Sequence, residues 1–242
     1  MELTVLGSSG SYGAPAGGAC SGYLLRAGDV AIWMDCGNGT LVNLQQHVNP
    51  AELTAVVITH GHPDHCVDIY GLHVMNKYGI DRAMLPVFAA EGVEKQLEHL
   101  VGNWTDTFDW HTVGDGDRAQ LDGVGLRFSR TDHPPPTTAV EISHEGKRLV
   151  YTSDTGPEWS CEVFGAGADF VLSEATYQHD DIRAPIHLSA HQAGTAARDA
   201  HAKQLMLTHI WPTLDPVASV AEASEAYGGV VELAAPHRKI HI

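Results

Sequence analysis

The stretch Val56-Val57-Ile58-Thr59-His60-Gly61-His62-Pro63-Asp64-His65 sets the reading of the whole chain. An apolar run of strand type ends at Thr59, and three histidines and an aspartate follow at once. In an extended strand end, residues i and i+2 point the same way, so His60 and His62 can grip one cation together. Pro63 cannot continue the strand's hydrogen bonding, and the chain turns there. Asp64 and His65 then open the next helix and face back across the turn toward a second cation. Neutral imidazole and carboxylate are ligand types that zinc accepts. A single histidine after a strand is ordinarily a capping or core residue. Four such groups in H-x-H-x-D-H spacing are costly to pack together without a metal, so the cluster reads as a metal or catalytic site.

These four groups do not close two sites, so further ligands must come from other strand ends. His133 follows the run 125–130 and precedes Pro134-Pro135-Pro136; Asp154 follows the run 149–152; His209 follows the run 204–208. The remaining strand candidates are 3–6, 23–26, 30–35, 55–59, 86–89, 139–143, 170–173, 230–233 and 239–242. His144-Glu145-Gly146-Lys147, between two runs, reads as a hairpin turn. Helices are expected at 64–77, at 91–101, from the Ser189/Gln192 capping box to about residue 201, and from Asp215-Pro216 to about residue 227. Gly156-Pro157 is expected to open a short fifth. The Gly-rich segment 7–22 reads as a plain mobile loop. Its amides at 7–11 offer a phosphate cradle in principle, but the Lys and spacing of a P-loop are missing. Strands and helices recur through both halves, predicting one α/β domain over 1–242 built from two similar halves.

Composition narrows the function. Histidines number 16 against 14 Lys+Arg, and 30 Asp+Glu leave a net charge of −16. Such a chain is a poor candidate for neutralising many nucleic-acid phosphates, so no stable nucleic-acid binding is expected. At 43% apolar and 18% charged it can bury a core and is not disordered. No run approaches the roughly 18 apolar residues of a membrane span, and the N-terminus has no signal-peptide pattern. Four cysteines without a C-x-x-C pair read as free, buried thiols, giving a cytoplasmic expectation.

The set Thr59-His60-Gly61-His62-Pro63-Asp64-His65, His133, Asp154 and His209 resembles, in order, the motifs of the metallo-β-lactamase fold superfamily. The resemblance spans nearly the whole chain and implies a four-layer αβ/βα sandwich with two metals at one edge. It implies that His60, His62 and His133 hold the first zinc, that Asp64, His65 and His209 hold the second, and that Asp154 bridges them. Manganese or iron are the substitutes to expect. Trp33-Met34-Asp35-Cys36-Gly37-Asn38-Gly39-Thr40 is similar to the L-D-C-G-E-G-T segment of ribonuclease Z-like enzymes, which makes Asp35 an orienting group behind the ligand histidines. Ser173-Glu174-Ala175-Thr176 resembles their H-E-A-T motif, with Ser173 in place of the first His. His187-Leu188-Ser189-Ala190 resembles their H-S-T motif. The resemblance thus makes Glu174 and His187 a catalytic pair that meets the scissile phosphate.

Ribonuclease Z proper cleaves precursor tRNA, and bacterial tRNA-processing members carry a long arm between the motif His and the bridging Asp. Here only 20 residues separate His133 from Asp154. With the negative charge, this points to a small phosphodiester, and the nearest resemblance is to short proteins associated with cyclic-nucleotide phosphodiesterase activity. A metal pair roughly 3.5–4 Å apart would lower the pKa of a bridging water to give an attacking hydroxide. Asp64 could take its proton, and His187 would stabilise phosphoryl oxygens or protonate the leaving oxygen. The alternatives are a ribonuclease Z-type endonuclease and a thiolester or lactone hydrolase of the same fold. A lactonase leaves the His187 and Glu174 motifs unexplained, and a glyoxalase II-like thiolesterase carries a helical C-terminal domain not seen after His209. A β-lactamase would need a signal peptide, a flavodiiron protein a Glu at position 62, and a non-catalytic sensor would not need the full ligand set. Homodimers are common in this subgroup, although no apolar stripe here marks an interface.

Overall fold

The computed structural model describes every residue except Ala16, Asp81, Thr105 and Ile182. The first half supplies β1 (Glu2–Gly7), β2 (Gly22–Ala27), β3 (Val30–Met34), β4 (Ala55–Ile58), β5 (Leu85–Ala90) and β6 (Phe108–Val113). The second supplies β7 (Arg118–Leu121), β8 (Val124–Arg130), β9 (Thr138–His144), β10 (Lys147–Tyr151), β11 (Phe170–Glu174), β12 (Leu205–Thr208) and β13 (Val231–Leu233). The last strand, β14 (Lys239–His241), returns to pair with β1, giving sheets ordered 14-1-2-3-4-5-6 and 13-12-11-10-9-8-7. The halves follow the same plan. β1–β3 and β7–β10 run antiparallel, and β3–β6 and β10–β13 run parallel.

The strands alternate between two buried faces. Val30, Ile32 and Met34 of β3 join Phe128, Val140, Leu149 and Leu172 from the other sheet in the central core. Ala31 and Trp33 pack outward with Ile69, Leu72 and Leu97. An equivalent outer layer joins Val171, Leu205 and Leu207 to Ala193, Ala197 and Ala223. The outer helices are α1 (Thr40–Leu44), α2 (Pro63–Cys66), α3 (Ile69–Val74) and α4 (Val93–Val101) on one side, and α5 (Ala190–Asp199) and α6 (Pro216–Tyr227) on the other. The result is the expected αβ/βα sandwich. Strands buried on both faces read as continuous apolar runs, which is why most were visible in the sequence. No helix among the described residues is long and apolar enough to cross a membrane.

Local signals held where the chain decides its own geometry. Ser189 and Gln192 form the capping box on α5, and Asp215 caps α6 through the Val217 amide. Glu145 and Gly146 both have positive φ, as the β9–β10 hairpin turn requires. Other expectations are corrected. The helix expected at 64–77 is interrupted: α2 ends at Cys66, α3 starts at Ile69, and Met75–Gly79 winds as a π-helix. The loop after β3 causes the break, since Cys36 N donates to the His65 carbonyl and Asp68 N to the Cys36 carbonyl. Gly156-Pro157 opens no helix; a Cβ on Gly156 would lie 2.5 Å from the Pro185 carbonyl, and the next helical turn along the chain is Cys161–Phe164. The Gly-rich loop is tied down: Ser9 N donates to the Ala19 carbonyl and Gly10 N to that of Ile210. Ala16 of that loop lies outside the described residues.

Candidate metal centre

Six of the groups singled out for chemistry sit at or just beyond the C-terminal end of a strand. Asp35 follows β3, His60 follows β4, His133 follows β8, Asp154 follows β10 and His209 follows β12, while Glu174 ends β11. Pro63 is the first residue of α2, so His62 stands at its N-cap and Asp64 and His65 in its only turn. Asp35, Ser153 and His209 adopt φ of 53°, 54° and 56°. Left-handed backbone costs a non-glycine residue roughly 1–2 kcal/mol, and here it turns side chains inward at the sheet edge.

Two sets of ligand atoms converge, and one carboxylate faces both. His60, His62, His133 and Asp154 form one group, and Asp64, His65 and His209 another. The first set is tight: His60 Nε2 lies 3.1 Å and His133 Nε2 3.3 Å from His62 Nδ1. In the second, Asp64 Oδ2 is 3.5 Å from His65 Nε2 and 3.2 Å from His209 Nε2. Asp154 Oδ2 approaches His60 Nε2 at 3.6 Å and His133 Nε2 at 3.9 Å. Its Oδ1 lies 3.3 Å from His65 Nε2 and 3.5 Å from His209 Nε2.

The groups behind the cluster fix which nitrogen faces inward. His65 donates Nδ1–H to Asp35 Oδ2 at 2.8 Å, and His133 donates Nδ1–H to the Ile186 carbonyl at 2.7 Å. Thr176 gives its hydroxyl hydrogen to Glu174, so its oxygen accepts from His209 Nδ1 at 2.8 Å. In each neutral ring this leaves Nε2 as a bare lone pair aimed into the cluster. Asp35 is fully buried. Its carboxylate also accepts from Thr59 N, Thr59 Oγ1 and the Tyr151 hydroxyl.

The electrostatics fit a cation. His65 Nε2 and Asp154 Oδ1 are buried without a hydrogen-bond partner. Burial pushes the imidazoles of His60, His62 and His133 below the usual histidine value. Burial also opposes charge on His65, but the carboxylates of Asp154, Asp64 and Asp35 outweigh it and hold His65 well above that value. Burial opposes ionisation of Asp64 too, yet His65 and His209 hold its carboxyl well below the carboxylate range. A pocket whose carboxylates force a proton onto a buried ring demands positive charge, and a divalent ion supplies it on lone pairs already oriented.

His187 and Glu174 meet beside this cluster. His187 Nδ1 lies 3.0 Å from Glu174 Oε1 and 3.9 Å from Asp154 Oδ2. Glu174 is held by Thr155 N, Thr176 N and Thr176 Oγ1. Burial opposes charge on His187, but Glu174 and Asp154 outweigh it and push it up to about 9. The structure therefore brings together all of Asp35, His60, His62, Asp64, His65, His133, Asp154, Glu174, His187 and His209. The other histidines stand apart, for instance His73 on Thr107, and His47 with His237. The four cysteines are free and buried.

Sequence reasoning missed four supporting groups. Thr59 and Thr176 adjoin quoted motifs, so their positions were visible but not their bonds. Tyr151 lies at the end of β10 with no local signal. Ser11 donates its amide to Asp64 Oδ2 at 2.9 Å, so the Gly-rich loop serves a cluster carboxylate.

A family model described as "Beta-lactamase superfamily domain" matches residues 31–210. The chain belongs to that superfamily. Relatives similar to it include an uncharacterised protein of Mycobacterium leprae, 34% identical over 96% of this chain and 85% of that protein. Another is the probable metallo-hydrolase YhfI of Bacillus subtilis, 32% identical over 87% of each. The crystal structure of YhfI, a metallo-β-lactamase fold protein, superposes with a TM-score of 0.89 at 26% identity over 99% of both chains. Human tRNase Z, short form, shares the fold with a TM-score of 0.79 at 20% identity, over 100% of this chain and 99% of that one. Ribonuclease Z-like members of the superfamily are thus among its neighbours, as the motifs implied.

Proposed function

We propose that this superfamily member is a metal-dependent hydrolase that cleaves a small phosphodiester, such as a cyclic nucleotide. The observation that carries this reading is the His187–Glu174 pair, 3.0 Å apart and set against the metal-ligand cluster. In this proposal His60, His62 and His133 would hold one divalent ion and Asp64, His65 and His209 a second, with Asp154 facing both groups. Zinc suits the nitrogen-rich ligand set, with manganese or iron as substitutes. Metal ions held there would supply Lewis-acid polarisation of a phosphoryl oxygen and a water of lowered pKa. Asp64 accepts a proton on the carboxylate oxygen not held by Ser11 and His209. Glu174 keeps His187 protonated, so its ring donates a hydrogen bond to a phosphoryl oxygen or a proton to the leaving oxygen. Thr176 couples the two sides, since it bonds both Glu174 and His209.

The substrate size rests on two features. The residues between His133 and Asp154 are taken up by β9, β10 and their connections, leaving no inserted arm to grip a tRNA. The net charge of −16 opposes a long polyanion, whereas the positive charge of bound metals attracts a small one locally. Purified protein loaded with zinc or manganese should hydrolyse bis(p-nitrophenyl) phosphate and at least one cyclic nucleotide. His187→Ala should lose about a hundredfold or more in turnover while keeping its metal content. A fully active variant, or far faster turnover of a thiolester, a lactone or a precursor tRNA, would overturn the reading.

A further inference from the structure

An aromatic and cationic rim stands over one side of this centre, and no step described so far uses it. Its parts come from three segments that each touch the cluster. Tyr12 follows Ser11, whose amide holds Asp64. Trp211 lies two residues beyond His209 and donates its amide to the Thr176 carbonyl. Tyr177 sets its ring edge-on to His187, with centroids 5.8 Å apart. Arg183 lies in the segment between Tyr177 and His187.

Tyr12, Arg183 and Trp211 meet one another. The Arg183 guanidinium carbon lies 5.0 Å over the Trp211 ring centroid, and Tyr12 packs edge-on to Trp211 at 6.0 Å. Tyr12 is 46% exposed, and the Arg183 side chain 43%. In a chain of charge −16, an aromatic cluster around an arginine beside the metal ligands is conspicuous.

The chemistry discriminates between two roles for Arg183. As an anion receptor it would keep its charge unanswered, but its Nη2 is paired with Asp181 Oδ2 at 2.9 Å. Pairing quenches the attraction for a second phosphate and leaves the flat guanidinium plane intact. A planar cation stacked on an indole, flanked by exposed phenol, suits a planar π-system, and bases stack on aromatic rings and on arginine planes alike.

We propose that Tyr12, Arg183 and Trp211 form a subsite for a nucleobase, so that the substrate is a nucleotide phosphodiester rather than a base-free one. The proposal rests on the phosphodiesterase reading for its placement of the scissile phosphate. It adds that recognition is by base stacking, which tolerates different bases, rather than by hydrogen-bond readout.

The test compares AMP with ribose 5-phosphate, which share the phosphate and sugar and differ in the base. Binding to the zinc-loaded full chain is measured by calorimetry and by tryptophan fluorescence. AMP should bind about tenfold tighter or more, and Arg183→Ala and Tyr12→Ala should each remove most of that advantage. Ribose 5-phosphate affinity should stay within about twofold in both variants. Equal binding of the two ligands, binding of neither, or equal weakening of both in Arg183→Ala would overturn the subsite. Hydrolysis of cyclic AMP and of base-free methyl riboside 3′,5′-cyclic phosphate separates the two claims. Base-dependent binding without turnover of either would refute the phosphodiesterase reading alone. Equal turnover of both would refute the subsite alone.

Discussion

Asp35→Asn tests the idea that the metal ligands are set from behind. Wild-type Asp35 Oδ2 accepts from His65 Nδ1 at 2.8 Å, from the Tyr151 hydroxyl at 2.8 Å and from Thr59 Oγ1 at 3.0 Å. Its Oδ1 accepts from Thr59 N at 2.8 Å. An amide can keep its carbonyl on the Oδ2 side, but its NH2 then faces the Thr59 amide, and two buried donors oppose each other. A buried donor without a partner costs about 1–3 kcal/mol, which is the expected loss of stability. The lost negative charge also weakens His65 as a ligand, and removing such an outer partner typically lowers metal affinity about 10–100-fold. The assay is zinc competition against a chromogenic chelator, run beside urea unfolding with and without metal. Zinc affinity within about twofold of wild type, in a variant of unchanged stability, would refute the claim that Asp35 organises the cluster.

Two further perturbations probe the same architecture. In the metal-free chain, His60, His62 and His133 have folded pKa values below the unfolded value of about 6.5, so the unfolded state binds more protons below that pH and stability falls on acidification. His65 and His187 are raised, His187 to about 9, so the stability they contribute is complete below about pH 6.5 and is lost as pH rises toward 9. Urea unfolding in EDTA from pH 5 to 9 should therefore show maximum stability near neutrality, and a flat profile would contradict the burial argument. Gly37→Ala would place a Cβ 2.1 Å from the Asp64 carbonyl and 2.6 Å from that of Ser21. Overpacking of this kind costs about 1–3 kcal/mol, and each 1 kcal/mol lowers Tm by about 2–4 °C at this size. Calorimetry and metal analysis should show both a lower Tm and reduced metal content, because the displaced backbone carries Asp64 and His65.

The legible parts of the fold were those governed by short-range rules. The α5 capping box and the β9–β10 turn are fixed by residues within four positions of one another. The buried strands announce themselves as apolar runs because both faces are covered. β6 and β7 escaped notice because they lie at the sheet edges, where Asp109, His111, Arg118 and Gln120 interrupt the pattern. Their pairing comes from β5 and β8, far more than from their own composition. The break between α2 and α3 was equally hidden, since it depends on backbone bonds from Cys36, thirty residues away in the chain.

The sequence by itself determined the chemistry available: the imidazoles and carboxylates at strand ends, the acidic balance, and the Glu174 and His187 motifs. Only the tertiary structure decided how they act together. It set Asp154 with one oxygen toward each histidine group, chose the bare nitrogen of His65, His133 and His209, and drew Tyr12, Arg183 and Trp211 into one rim. The physical reason is that ligand type is a property of single residues. Lone-pair direction, burial and stacking depend instead on partners that only the packed sheets bring within a few ångströms.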